Sequence, residues 1–277
     1  MMGGGTMGRL AGLVALVTGA GGGEMGGGGA GIARVLAREG AIVAVNDLND
    51  EYARATVDQI TQQGGQAFVL PGDVSDPQRA REMVETVVGR HGRIDILVNN
   101  AARLGRSPAV ERMPDEEWHS YIAVNLSGPF YMSRAALPHM MRQQYGRIIN
   151  IGSLAALRAS LNGGAGYTSS KRGLLGLTRQ LAAEFYSYNI TVNAVLPAGI
   201  LSGRMRAEMG PQADALVTAR RWALPDDIGA ICAYLASPEA HLISASVIVV
   251  PGANATGLGD FASYRAMARQ IGKDIGE

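Results

Sequence analysis

The chain has 277 residues, 47% hydrophobic and 18% charged, with a formal net charge of +1. That balance supports a large buried core and argues against a dedicated nucleic-acid surface, which needs a concentrated excess of basic side chains. A single cysteine, Cys232, excludes an internal disulfide framework and a cysteine metal cluster. His91, His119, His139 and His241 are scattered without metal-ligand spacing, and no apolar run approaches the ~20 residues that span a bilayer. No metal and no membrane partner are expected, and a reducing, cytoplasmic setting fits the cysteine usage.

In chain order, the glycine-rich stretch 1–8 reads as a flexible leader. Residues 13–18 form a short apolar run that ends in a glycine tract; 30–39 has helical character and 42–45 is a second buried strand. Strand, glycine turn, helix and strand make a βαβ unit. The alternation continues with helix 51–63, strand 67–70, helix 78–90 and strand 94–98. A long helix is expected from 115 to beyond 131, with another before Tyr145. Strand 147–151, helix 167–186, strand 190–195, helix 225–236 and strand 246–250 complete the pattern. Seven short strands separated by helices predict an α/β, Rossmann-like, doubly wound parallel sheet with helices on both faces. Residues 9–254 are expected to form one domain, followed by a tail, 255–277, with an amphipathic stretch at 261–271.

The first turn, from Thr18 to Gly31, holds nine glycines among fourteen residues. Glycine lets backbone approach a pyrophosphate, and the helix after the turn favours the anion at its N-terminus. The bland alternative is a floppy turn between two core elements; the direct join of first strand to first helix favours the nucleotide reading. Asp47, at the end of the second strand, is placed to accept hydrogen bonds from both adenosine ribose hydroxyls and to repel a 2′-phosphate. In the alternative it is an ordinary strand-end residue that caps the next helix. Asp73 is expected near the adenine, and Asn99 to Ala101 end the fourth strand beside the ligand crevice of such sheets. No Gly-Lys-Ser/Thr comes after the glycines, which disfavours an ATPase.

The chain has only two lysines, Lys171 and Lys273. Lys171 lies four residues after Tyr167, and Ser153 lies fourteen residues before that tyrosine. Residues four apart on a helix share a face. An ammonium there favours the phenolate, a general base whose conjugate phenol is the matching acid. In the structural alternative the pair merely fills and solvates a helix face.

Taken together, the Thr18-Gly19 turn, Asp73-Val74, Asn99-Asn100-Ala101, Asn125, Ser153, Tyr167-x-x-x-Lys171 and Asn193 to Pro197 resemble the short-chain dehydrogenase/reductase family over residues 9–254. The resemblance implies Tyr167 as acid/base and Ser153 steadying the reacting oxygen. It implies Lys171 binding the nicotinamide ribose while lowering the tyrosine pKa, and Asn125 holding a water in a proton relay. It assigns cofactor contacts to Gly19, Gly23, Gly27, Gly29, Ile32, Asp47, Asp73, Val74, Asn100, Ala101, Tyr167, Lys171, Pro197, Gly199, Ile200 and Ser202.

Three departures stand out. The glycine turn is about four residues longer than usual: counting back from Arg38-Glu39-Gly40 selects Gly27 and Gly29, whereas counting forward from Thr18 selects Gly23. Ala102 replaces the usual glycine after Asn-Asn-Ala, and Ala198 separates Pro197 from Gly199. Asp47, Glu24 and the absence of a basic residue in the turn predict NAD(H) over NADP(H). The expected activity is interconversion of a secondary alcohol and a ketone. The alternatives are an NADPH-dependent acyl-thioester or carbonyl reductase, and a non-catalytic nucleotide-binding scaffold. The segment 201–221, with Met205, Met209, Leu216 and Trp222 nearby, is expected as a lid or as one face of a core helix. Arg103, Arg106 and Arg158 either meet an acidic substrate or carry solubilising charge. A homo-oligomer, a tetramer by resemblance, completes the expectation.

Overall fold

A computed structural model describes residues 8–105, 107–160, 163–218 and 222–251. Its order opens with β1 (Val14–Val17), α1 (Gly28–Arg38), β2 (Ile42–Asp47), α2 (Asp50–Gln62), β3 (Gln66–Pro71), α3 (Pro77–His91) and β4 (Ile96–Asn99). Then come α4 (Asp115–Ile122), α5 (Gly128–Gln143), β5 (Gly146–Ile151), α6 (Gly164–Phe185) and β6 (Ile190–Pro197). The short helices α7 (Gly203–Met209) and α8 (Gln212–Thr218) precede α9 (Pro225–Ala236) and β7 (Val247–Val250). The leader 1–7, the tail from 252 onward, Arg106, Arg220 and Arg221 lie outside the described residues.

All seven strands pair in parallel, in the order β3-β2-β1-β4-β5-β6-β7. Both faces are covered, so the central strands are buried throughout and read as continuous apolar runs. Alternation still divides them. Val17, Val43, Val98 and Ile149 pack with Ile32 and Leu36 of α1 and Ile228 and Cys232 of α9. Leu16, Ala44, Leu97 and Ile148 pack with Val84 of α3 and Met132 and Met140 of α5 on the other face. Strand order reverses between β1 and β4, which opens a crevice at the carboxyl ends of the strands.

Local chemistry sets the helix ends. Asn49 caps α2 by accepting from the backbone N–H groups of Glu51 and Tyr52. Asp76 does the same for α3 ahead of Pro77, and Gly92 closes that helix at φ 74°. α1 starts two residues earlier than expected, so Gly28 and Gly29 belong to its first turn. The two helices expected between 115 and Tyr145 are one run, α4 into α5, joined by a π turn over Ala123–Ser127. Asn125 sits inside that turn, a distortion that recurs at functional sites.

Candidate active site

The crevice holds a cleft of about 540 Å3, reaching from Asp47 past Gly19, Gly28 and Asn100 to Ser153, Tyr167 and Lys171. A smaller cavity of about 200 Å3 continues from it between Asp47, Asp73, Val74 and Ala101.

The nucleotide end is built from backbone. Thr18, buried where β1 ends, accepts through Oγ1 from the N–H groups of Asn100 and Ala101, 2.9 and 3.0 Å away. The Asn100 amide donates to the carbonyls of Thr18 and Gly19 at 2.9 and 2.8 Å. These bonds clamp the glycine turn to the end of β4. Gly19 has φ +60°, and a Cβ on Gly29 would overlap the Gly19 carbonyl and the Asn100 amide. Gly27 caps α1 without a side-chain hydrogen bond, and the first turn of α1 has no acid. An uncapped helix start between glycines fits the diphosphate of a dinucleotide. Asp47 accepts from Gly21 N–H at 3.0 Å and Asn49 N–H at 3.1 Å while lining both cavities. Asp73 accepts from the Ser75 N–H and hydroxyl at 2.8 and 2.7 Å. Beside it Val74 is buried against Gly128.

Three expected contacts fall elsewhere. Gly23 is turned away from the cleft: its N–H donates to Thr56 Oγ1 and its carbonyl accepts from Arg34. Ile32 is wholly buried in the core, one turn past the start of α1. Gly199 lies against the indole of Trp222, with its carbonyl accepting from Ala223 N–H, while Pro197, Ala198, Ile200 and Ser202 line the cleft. Sequence reasoning misses Gly28, although counting back from Gly40 brackets it between the two selected glycines. Glu24 is exposed. Ala102 lines both cavities, so its methyl forms part of their shared wall.

The catalytic end is built from side chains. Ser153, just past β5, is extended and accepts from Ala155 N–H at 3.2 Å. Ser153 and Tyr167 line the same cleft, and the Ser153 hydroxyl favours the ionised phenol. Tyr121 meets Tyr167 edge-on at 6.3 Å, and the Arg103 guanidinium stacks over Tyr121 at 5.2 Å. Lys171 is 3% exposed; its ammonium donates to the Ile151 carbonyl at 2.9 Å and lies 5.8 Å from the Tyr167 ring centre. Burial pulls its pKa down to about 8. Burial also raises Tyr167 above the usual phenol value, opposed by the nearby Ser153 hydroxyl and reinforced by Tyr121. This differs from the expected depression by Lys171: the ammonium is committed to Ile151, and desolvation of the phenol dominates.

Asn125 is fully buried, and its amide is engaged. Oδ1 accepts from Arg103 N–H at 2.8 Å, while Nδ2 donates to the Arg103 carbonyl and to Ser170 Oγ, each at 3.2 Å. Ser170 in turn donates to the Tyr167 carbonyl. Asn125 therefore ties the loop after β4 to α6, one residue from Lys171. Asn99 is structural, donating to Asn150 at 2.8 Å and to Ser133 at 3.3 Å beneath the cleft.

The segment after β6 is neither a core face nor a single helix. Ser202 caps α7 by accepting from Met205 N–H at 3.1 Å, and Met205, Arg204 and Leu104 line the cleft mouth. Met209 is half-buried, and the Leu216 side chain lies outside the described residues. Arg103 and Arg158 are exposed. Among the described residues no group of three His, Cys, Asp or Glu side chains is arranged for a metal, and no helix is long and apolar enough to cross a membrane.

Known proteins are similar to this chain in sequence and fold. Residues 23–252 match the family described as enoyl-(acyl carrier protein) reductase. D-threitol dehydrogenase of Mycolicibacterium smegmatis is 38% identical over 248 residues, covering 88% of this chain and 93% of that protein. A 3-oxoacyl-(acyl carrier protein) reductase of Staphylococcus aureus is 38% identical over 242 residues, covering 86% and 96%. Levodione reductase superposes with a TM-score of 0.79 at 28% identity over 89% of this chain and 98% of that one. A structure described as a short-chain dehydrogenase/reductase from Burkholderia xenovorans gives 0.80 at 30% identity, covering 90% and 98%. With a doubly wound parallel sheet, a glycine cradle at its switch point and relatives matched over nearly their whole length, this chain belongs to the short-chain dehydrogenase/reductase family of NAD(P)(H)-dependent oxidoreductases acting on alcohol and carbonyl groups.

Proposed function

We propose that this protein is an NAD(H)-preferring dehydrogenase that interconverts a secondary alcohol and a ketone, with Tyr167 as general acid/base. The observation that carries the reading is one cleft lined at one end by the glycine cradle and at the other by Ser153, Tyr167 and a buried Lys171, whose ammonium lies 5.8 Å from the Tyr167 ring centre. Bound NAD+ supplies the hydride acceptor. In oxidation, Ser153 donates to the substrate oxygen and Tyr167, as phenolate, takes the hydroxyl proton while hydride leaves the carbinol carbon. In reduction, neutral Tyr167 returns that proton to the developing alkoxide. Lys171, held by the Ile151 carbonyl, is placed to bind the nicotinamide ribose. Asn125 fixes the loop after β4 and the Ser170 step of α6, which orients both groups.

Asp47 supports the NAD(H) preference, because a carboxylate facing the ribose pocket repels a 2′-phosphate. The first turn of α1 has no basic residue to offset it. We also propose a homotetramer, with α4–α5 and α6 pairing about two-fold axes; Trp118 and Phe130 are exposed large side chains on α4 and α5. Light scattering that gives a monomer at micromolar concentration overturns the assembly.

The deciding experiment is turnover of a panel of secondary alcohols and ketones with NAD(H) and with NADP(H), paired with NADH titration. Turnover that favours NADP(H) supports the reductase alternative. NADH binding without turnover on any member supports the scaffold.

A further inference from the structure

We propose that the lengthened glycine turn and α7 form a clasp that retains the dinucleotide and sets its rate of release. This rests on the nucleotide reading of the cleft. Residues 22–25 leave the β1–α1 connection and return to it, closing on themselves. A Cβ on Gly26 would lie 2.7 Å from the Gly21 carbonyl, and one on Gly22 would lie 2.8 Å from the Gly26 Cα. The excursion therefore adds no length across the cradle. It forms a separate 3-10 turn, Gly23–Met25, beside the cradle.

One side of this turn is fixed. Gly22 N–H donates to the Tyr52 carbonyl at 2.8 Å and Gly23 N–H to Thr56 Oγ1 at 2.9 Å, both on α2. Arg34 of α1 donates to the Gly23 carbonyl at 3.0 Å and, through its other terminal nitrogen, to Asp226 at 2.6 Å in the first turn of α9. The other side meets α7. The backbone of Glu24 lies directly against Gly203, where a Cβ would overlap the Glu24 carbonyl and sit 3.0 Å from the Met25 Cα. Met25 and Met205 both line the cleft.

The segment that carries α7 has two stems, and both refer back to this turn. They are joined where Ala223 N–H donates to the Gly199 carbonyl and Leu201 N–H to the Ala223 carbonyl, each at 2.9 Å. The outgoing stem starts α7 on Glu24. The returning stem enters α9, whose Asp226 shares Arg34 with Gly23. Opening α7 thus requires parting Gly203 from Glu24 and widening the cleft between Met25 and Met205. Arg34 is a positioning residue for that motion, because it braces the turn against the lid's root.

The test is stopped-flow displacement of NADH, read as dissociation rate, alongside a melting curve. The variants are deletion of residues 22–25, Arg34→Ala, Arg34→Lys and Met25→Ser. The deletion and Arg34→Ala should speed NADH release roughly five- to tenfold, the size expected for exposing about half of one methionine's apolar surface. Arg34→Lys should rescue in part, since one ammonium cannot bridge the acceptors that a fork bridges. Met25→Ser alters a side chain 53% exposed and keeps the question answerable if the deletion fails to fold; it should speed release about threefold. Unchanged release from folded variants that lose only melting temperature overturns the clasp and leaves the nucleotide site standing. Failure of the unaltered protein to bind NADH overturns both.

Discussion

The two ends of the cleft are made of different materials. At the nucleotide end the contacts are backbone: an uncapped helix start, the Gly19 and Gly29 approach, and Thr18 and Asn100 clamping one turn to one strand. Asp47 and Asp73 bring carboxylates there. At the catalytic end the working groups are side chains on two rigid elements, the end of β5 and a 22-residue helix, and Lys171 has been taken out of water to place it. A backbone cradle fails through sterics, when a Cβ displaces what it touches. A buried side-chain pair fails through chemistry, when one functional atom is lost and the packing stays.

The largest effect should therefore come from the smallest change. Tyr167→Phe keeps the ring against Tyr121 and removes one oxygen. Turnover should fall by about 10³-fold, within the range of general acid/base contributions. NADH affinity and melting temperature should stay within about twofold and a few degrees. Steady-state kinetics with NADH titration checks this; ordinary turnover by a folded variant refutes the mechanism.

Lys171→Met tests the other half of the pair through stability. Turnover and NADH binding should both suffer, yet the protein should melt higher at neutral pH. The sign comes from linkage. In the unfolded chain the ammonium titrates at 10.5, and in the folded protein at about 8. Between those values the unfolded state binds more protons, so stability of the parent rises with pH. Below about 8 the burial cost is complete, and above 10.5 it is gone. At pH 7 the variant should gain up to about 3 kcal/mol, less the lost bond to Ile151, and the gain should shrink as pH climbs through that window. Tyr167 acts oppositely above pH 10, where its raised value favours unfolding as pH increases. Melting curves from about pH 7 to 10.5 read the trend; a gain constant with pH would mean that the ammonium's burial is not its cause.

The same contrast explains what can be read from the chain. The seven strands, the α/β alternation and the Tyr167–Lys171 face follow from hydrophobic period and helical spacing, which local geometry fixes. Ser153 comes from the family resemblance, and the structure sets it just past β5. The cradle is harder, since glycine leaves the path open. Fourteen residues with nine glycines do not say which carbonyls turn inward, so Gly23 is expected on the ligand and instead lies on Thr56. Counting from the helix side puts Gly29 in the cleft wall because a helix is rigid and its register carries back through it. Ile32 is a register error of the same kind, apolar and facing the core. The raised Tyr167 pKa is not legible because it depends on burial, which spacing does not report.

Gly29→Ala probes the cradle directly. The added methyl must displace the Gly19 carbonyl and the Asn100 amide, neither of which is a flexible side-chain tip free to swing away. The variant should weaken NADH by roughly thirtyfold, about 2 kcal/mol, while leaving the intrinsic pH profile of bound enzyme unchanged. A Cβ on Gly27 meets nothing within 4 Å, so Gly27→Ala should cost stability little. Equal behaviour of the two, by calorimetry, would count against the cradle geometry.

The smallest effect should be the one at Asp47, where the nucleotide end depends on charge. Asp47→Asn keeps shape and an acceptor for Gly21 N–H, 3.0 Å away, and removes the charge. Removing repulsion toward a 2′-phosphate in a solvent-open pocket is worth about 1–2 kcal/mol. The ratio of kcat/KM for NADP+ over NAD+ should therefore rise about tenfold, mainly by improved use of NADP+. Use of NAD+ should fall less, because the amide oxygen still accepts one ribose hydroxyl. The dependence on salt separates the causes: a Coulombic preference in the parent should weaken as ionic strength rises, and the variant's ratio should be nearly flat. A ratio that does not move on substitution would mean that backbone shape around Gly21 and Leu48, and not the carboxylate, selects the cofactor.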